Sequence, residues 1–117
     1  MRILLFCVLL MSAQFVIGQL VSKPIVEFAG YQQSSEVLID VRTPVEFEEG
    51  AIEGAVNIDW FSHDFNQQVQ SIDKNKIIYV YCKKGGRSLK AQARLEELGF
   101  KNVINLEGGY DAYLQEE

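Results

Sequence analysis

Cysteine and histidine are scarce in this 117-residue chain, which carries two of the first and one of the second. One cysteine, Cys7, lies in the apolar N-terminal stretch, so Cys82 is the only thiol beyond it and an internal disulfide is excluded there. One histidine and one such cysteine do not make a structural zinc set. His63 falls in a different segment from Cys82 and reads as an ordinary surface or helix-start residue, which leaves a cysteine–histidine protease pair without support. Apolar runs are short: Ile3 to Met11 is almost wholly apolar, but Ser12 and Gln14 interrupt it before membrane-spanning length. Basic residues are outnumbered 11 to 16, giving a net charge of −5, and binding to nucleic acid or an anionic membrane surface is disfavoured. No glycine-rich loop followed by lysine and serine or threonine occurs, nor a glycine-x-glycine helix opening, so nucleotide phosphate binding is unsupported. Repeats, low-complexity segments and long linkers are also missing, and the length suits one domain.

The N-terminus reads as a targeting segment. Met1-Arg2 supplies a positive start, the apolar run follows, and Val16-Ile17-Gly18 offers a cleavage point before Gln19. The expectation is a signal peptide over 1–18 and a single domain over 22–117, exported to the periplasm or the extracellular space, with no stable membrane insertion after cleavage. An uncleaved anchor is the alternative. Cys7 has no small residues before it, which argues against lipid attachment.

Four apolar or β-branched runs predict strands: Val37 to Val41, Ala55 to Ile58, Ile77 to Tyr81 and Asn102 to Leu106. The first and third are nearly continuous in apolar residues, as in strands covered on both faces of a parallel sheet. Thr43-Pro44-Val45-Glu46 combines an N-cap, a proline at the first helical position and a capping-box glutamate, so a helix begins at Pro44. Phe65, Val69 and Ile72 form one apolar stripe on a helix starting after Ser62. A further helix covers Leu89 to Leu98 from a start near Ser88 and stops at Gly99. Ser22-Lys23-Pro24 opens a first helix carrying Ile25, Val26 and Phe28, and Gly108-Gly109 precedes a last one bearing Tyr110, Tyr113 and Leu114. The alternation predicts an α/β domain, a mainly parallel central sheet flanked by helices on both faces, with its ligand site beyond the carboxyl ends of the strands.

Cys82 stands at such an end, heading Cys82-Lys83-Lys84-Gly85-Gly86-Arg87-Ser88. Two glycines permit close approach of the backbone, a helix start adds partial positive charge, and Lys83, Lys84, Arg87 and Lys90 crowd the same segment. Such surroundings hold a thiol pKa below its ordinary value of about 8.5. A buried, inert cysteine belongs within the strand, not at its end before two lysines and two glycines. Asp40 and Arg42 close the first strand and should lie near the loop, either shaping it or serving as structural ion pairs; Arg42 can reach Glu46, four residues on.

These residues resemble the rhodanese family, and the likeness covers most of the chain after the leader. Leu38-Ile39-Asp40-Val41-Arg42 with Glu46-Phe47 is similar to a first signature, and Gly50 to Ile58 to a second. Tyr81-Cys82 through Arg87-Ser88 is similar to the active-site loop, and Leu98-Gly99-Phe100 with Leu106-Glu107-Gly108-Gly109-Tyr110 to the family's end. Ala51 and Tyr113 depart from the histidine and tryptophan of many members. The resemblance implies a sulfurtransferase in which Cys82 takes a sulfane sulfur from thiosulfate or a persulfide, becomes a persulfide, and passes the sulfur to cyanide or a thiol, a protein thiol among the candidates. Lys83, Lys84, Gly85, Gly86, Arg87 and Ser88 would form the anion-binding loop, Asp40 and Arg42 would support it, and neither metal nor organic cofactor is required. Two rivals stand beside this reading. A cysteine phosphatase or arsenate reductase of related fold would need a loop one residue longer than the six from Cys82 to Arg87. A non-enzymatic module would use Cys82 for partner binding or oxidant sensing.

Overall fold

The computed structural model describes residues 20–115, and the leader expected over 1–18 lies outside them. Five parallel strands form one sheet: β1 (Val21–Pro24), β2 (Glu36–Asp40), β3 (Val56–Asn57), β4 (Ile77–Tyr81) and β5 (Asn102–Glu107), in the order β1-β5-β4-β2-β3. Helices α1 (Pro44–Glu49), α2 (Phe65–Val69), α3 (Gly86–Glu97) and α4 (Gly109–Gln115) fill the connections, with a 3-10 turn at Ile25–Glu27. Among the described residues no helix is long and apolar enough to cross a membrane.

The apolar runs place β2 and β4 at the centre, paired from Glu36 with Ile77 to Asp40 with Tyr81. Side chains alternate between faces, so Ile39, Ile78, Val80 and Val103 pack with Phe65 and Val69 of α2 and Ala91 and Leu95 of α3. Leu38, Tyr81 and Leu106 enter a second core with Ile25 and Ile52, against which Tyr110 and Tyr113 of α4 pack. Two cores on opposite faces are what near-continuous apolar strands require. Each such buried aliphatic side chain stabilises the fold by about 1.5–3 kcal/mol.

Local signals account for the helix ends. Thr43 caps α1 with both bonds of a capping box, its Oγ1 accepting from the Glu46 N–H while Glu46 Oε1 accepts from the Thr43 N–H. At the end of α3, Gly99 lies at φ +100°, and the N–H groups of Gly99 and Phe100 reach the carbonyls of Glu96 and Leu95 at 3.0 and 3.1 Å.

Four expectations are corrected. Val21–Pro24 is not a helix but an edge strand beside β5, followed by a single 3-10 turn; Pro24 lacks an N–H, which an edge position tolerates. The stripe Phe65–Val69–Ile72 breaks after Val69, where the helix ends, and Ile72 packs on the core from the following turn. β3 retains only Val56–Asn57 of the expected strand. Helix α3 opens at Gly86 and not near Ser88, so Gly86, Arg87 and Ser88 are its first turn and not a free loop.

Candidate active site

Cys82 continues the face of β4 that carries Ile78 and Val80, and the strand ends one residue before it. Its side chain is 1% exposed. The sulfur faces the first turn of α3 because Gly85 adopts φ +117°, a left-handed conformation that turns the chain back over Sγ. The Gly85 N–H then donates to Sγ at 3.0 Å and the Ser88 N–H at 3.4 Å. As a thiol, Sγ–H donates to Ser88 Oγ at 3.5 Å, whose own proton goes to the Gly85 carbonyl at 3.1 Å. As a thiolate, the sulfur becomes an acceptor for that hydroxyl.

Burial pushes the Cys82 thiol up, but the Ser88 hydroxyl and the N–H groups of Ser88, Gly85 and Lys84 together outweigh it and leave the thiol below its ordinary value. The Ser88 hydroxyl and the backbone dipoles together do the activating. The dipoles are fixed by folding and need no reorganisation when negative charge appears on sulfur.

The loop is anchored from behind by α4. The N–H groups of Tyr110 and Asp111 donate to the carbonyls of Cys82 and Lys83 at 2.8 and 3.1 Å. Gly109 makes this contact possible: a Cβ there would stand 2.5 Å from the Cys82 carbonyl oxygen and 2.4 Å from that of Lys83. The Gly108-Gly109-Tyr110 segment is thus part of the site's scaffold. Sequence reasoning assigned it only a helix start, and two adjacent glycines after an apolar strand were the available signal.

Asp40 and Arg42 form a buried pair, with Arg42 Nη2 at 2.6 Å from Asp40 Oδ2 and 2.7 Å from the Gly50 carbonyl. The Arg42 guanidinium also lies 4.3 Å from the centre of the Tyr110 ring, so it braces the helix that holds the loop. The expected Arg42–Glu46 pair does not form. Glu46 turns instead to Arg87, at 2.7 and 3.0 Å in a bidentate pair, because α1 places it opposite the first turn of α3. Arg87 holds Glu46 at about 2, against an ordinary 4.5; burial works the other way, and Thr43 assists. Phe61 lies beneath Arg87, ring centre 5.5 Å from the guanidinium carbon.

The two lysines separate. Lys83 pairs with Asp111 at 3.0 Å, whereas Lys84 is exposed and has no ion-pair partner among the described residues. His63 is exposed, two residues before α2, and makes no bond to Cys82. Asn57 was not foreseen: its amide donates to the carbonyls of Asp40 and Arg42 at 3.0 and 2.9 Å, holding the end of β2 in place. Tyr81 Oη similarly accepts from the Ile52 N–H at 3.1 Å. Of the two departures, Tyr113 stacks on Tyr110 at 5.9 Å, filling the second core, and Ala51 is half-buried. No metal-ligating cluster occurs among the described residues.

A parallel α/β domain whose strand-end loop aims backbone N–H groups at a lone buried cysteine sulfur defines a class of proteins built to hold negative charge on that sulfur. The comparisons narrow that class. The model of the rhodanese-like domain matches residues 26–116. Thiosulfate sulfurtransferase 16 of Arabidopsis thaliana is 39% identical over 85 residues, covering 64% of this chain and 71% of that protein. A sulfurtransferase of Allochromatium vinosum is 35% identical over 77 residues, 66% of this chain and 70% of its own. Among solved structures, a rhodanese-like domain protein from Staphylococcus aureus superposes with a TM-score of 0.69 at 29% identity, covering 80% of this chain and 91% of that one. The chain belongs to the rhodanese-like domain family, and its sulfurtransferase relatives place it at family level with the rhodanese-type enzymes.

Proposed function

We propose that the protein transfers a sulfane sulfur from thiosulfate or a persulfide donor to a thiophilic acceptor, cyanide or a thiol, through a persulfide on Cys82. The observation that carries this reading is the pair of N–H groups from Gly85 and Ser88 aimed at a buried Sγ. With thiosulfate, the thiolate attacks the outer sulfur, the S–S bond breaks, and sulfite leaves with the bonding electrons. The outer atom stays on Cys82 as a persulfide, and the same N–H groups stabilise sulfur anions before and after transfer. An acceptor nucleophile then removes it and restores the thiolate.

Arg87 acts in this reading as a strut: its guanidinium is engaged by both oxygens of Glu46. That engagement counts against a phosphatase, which needs an arginine free to grip an oxyanion. Lys84, exposed on the same loop, is the cation best placed to attract an anionic donor.

Incubating the chain with thiosulfate and measuring intact mass tests the proposal. A gain of one sulfur is expected, reversed by cyanide and absent in Cys82→Ser. Lack of any gain with thiosulfate, polysulfide or a thiol persulfide overturns it. We also infer that residues 1–18 are removed on export to the periplasm or the extracellular space; secretion of the expressed chain with an N-terminus near Gln19 is the expected result, and retention of Met1 would refute it.

A further inference from the structure

A cavity of about 360 Å³ borders the Cys82 loop on the side of α1 and α4. Lys83, Tyr110 and Leu114 are among the residues that line it. Five charged residues line it, and four have a partner: Arg42 pairs with Asp40, Glu46 with Arg87, and Lys83 with Asp111. The fifth is Glu49, exposed and without an ion-pair partner among the described residues. The cavity therefore carries one uncompensated negative charge beside an apolar wall, of which Leu114 is 47% exposed.

Such a lining suits a short apolar stem ending in a cation and repels an anion. The donor loop is different in character, since its one unpaired cation is Lys84. The loop and the cavity beside it thus carry unpaired charges of opposite sign, Lys84 on the one and Glu49 on the other. We propose that this cavity is the acceptor subsite and that it selects thiols bearing a protonated amine, with Glu49 as the residue that sets the preference. This rests on the Cys82 persulfide reading above.

In the second half-reaction the acceptor thiolate attacks the outer sulfur of Cys82–S–SH. The S–S bond to Cys82 breaks with its electron pair remaining on Sγ, and the amino thiol departs as its own persulfide. Atoms and charge balance without an added oxidant or reductant.

The test loads the full chain with sulfur from thiosulfate and follows discharge of the persulfide by cysteamine, 2-mercaptoethanol and 3-mercaptopropionate, each rate expressed per thiolate and divided by that thiolate's rate with an uncharged small-molecule disulfide at the same salt, which removes differences in intrinsic nucleophilicity. Cysteamine should exceed 3-mercaptopropionate by about fivefold to tenfold at low ionic strength, the range expected for one partly screened carboxylate acting on charges of opposite sign. The ratio should fall toward unity at 1 M salt, a measurement that needs no variant, and should fall in the same direction in Glu49→Gln at low salt. Loading followed by equal rates for the three thiols overturns the acceptor assignment alone, as does a ratio that Glu49→Gln leaves intact. Failure to load at all overturns the underlying persulfide reading instead.

Discussion

Replacing Glu46 by glutamine isolates what the clasp between α1 and α3 contributes. Glutamine retains an oxygen that can accept from Thr43 and so keeps the capping box, but it removes the charge and one of the two bonds to Arg87. A carboxyl held at about 2 in the fold and near 4.5 when unfolded corresponds to about 3 kcal/mol at neutral pH. Water still reaches a quarter of the Glu46 side chain and a fifth of Arg87, and screening reduces the figure to about 1–2 kcal/mol. For a domain of this size that is a loss of roughly 5–15 °C in melting temperature. The sign follows from linkage: a carboxyl with a depressed folded pKa stabilises above its unfolded value, and that stability is lost as pH falls from 4.5 through about 2. Thermal melts of the wild type and Glu46→Gln at pH 7, 5 and 2.5 should show the full gap at pH 7, nearly all of it at pH 5, and about a quarter at pH 2.5. A gap independent of pH, or none at pH 7, would refute the assignment of the effect to this ion pair.

Three further outcomes can be checked. Ser88→Ala removes the hydroxyl that can turn to the thiolate, so the Cys82 pKa should rise and alkylation by iodoacetamide at pH 7 should slow, read from a pH–rate profile. Gly109→Ala forces a Cβ into the carbonyls of Cys82 and Lys83 and should cost more than about 2 kcal/mol while also slowing alkylation; Gly86→Ala, which meets open space in the first turn of α3, should be neutral or stabilising by about 0.5–1 kcal/mol in chemical denaturation. Arg42→Met leaves the fully buried Asp40 without its cation and should destabilise by about 3–5 kcal/mol, much more than Asp40→Asn combined with Arg42→Met, as a double-mutant cycle would show.

By itself the sequence determined the features that short-range physics controls. Continuous apolar runs marked β2 and β4 as parallel strands covered on both faces; Thr43-Pro44 and Glu46 marked the start of α1; Gly99 marked the end of α3; and a lone cysteine between an apolar strand and two glycines marked the loop on which backbone N–H groups converge. The tertiary structure decided which distant groups meet. Val21–Pro24 reads locally as a helix opening, yet the backbone of β5 offers it a ladder, and pairing across 83 positions from Val21 to Ile104 overrides the local preference. Glu46 chose Arg87 over Arg42 because Asp40 and the Gly50 carbonyl already satisfied the nearer guanidinium. The lowered thiol pKa came from the Ser88 hydroxyl and from N–H groups that the positive φ of Gly85 brings to Sγ, and the stability of that arrangement from an α4 that touches the loop only because Gly109 has no side chain. Side-chain type and spacing are written along the chain, but the direction of a dipole and the choice among competing partners exist only once the strands have brought their ends together.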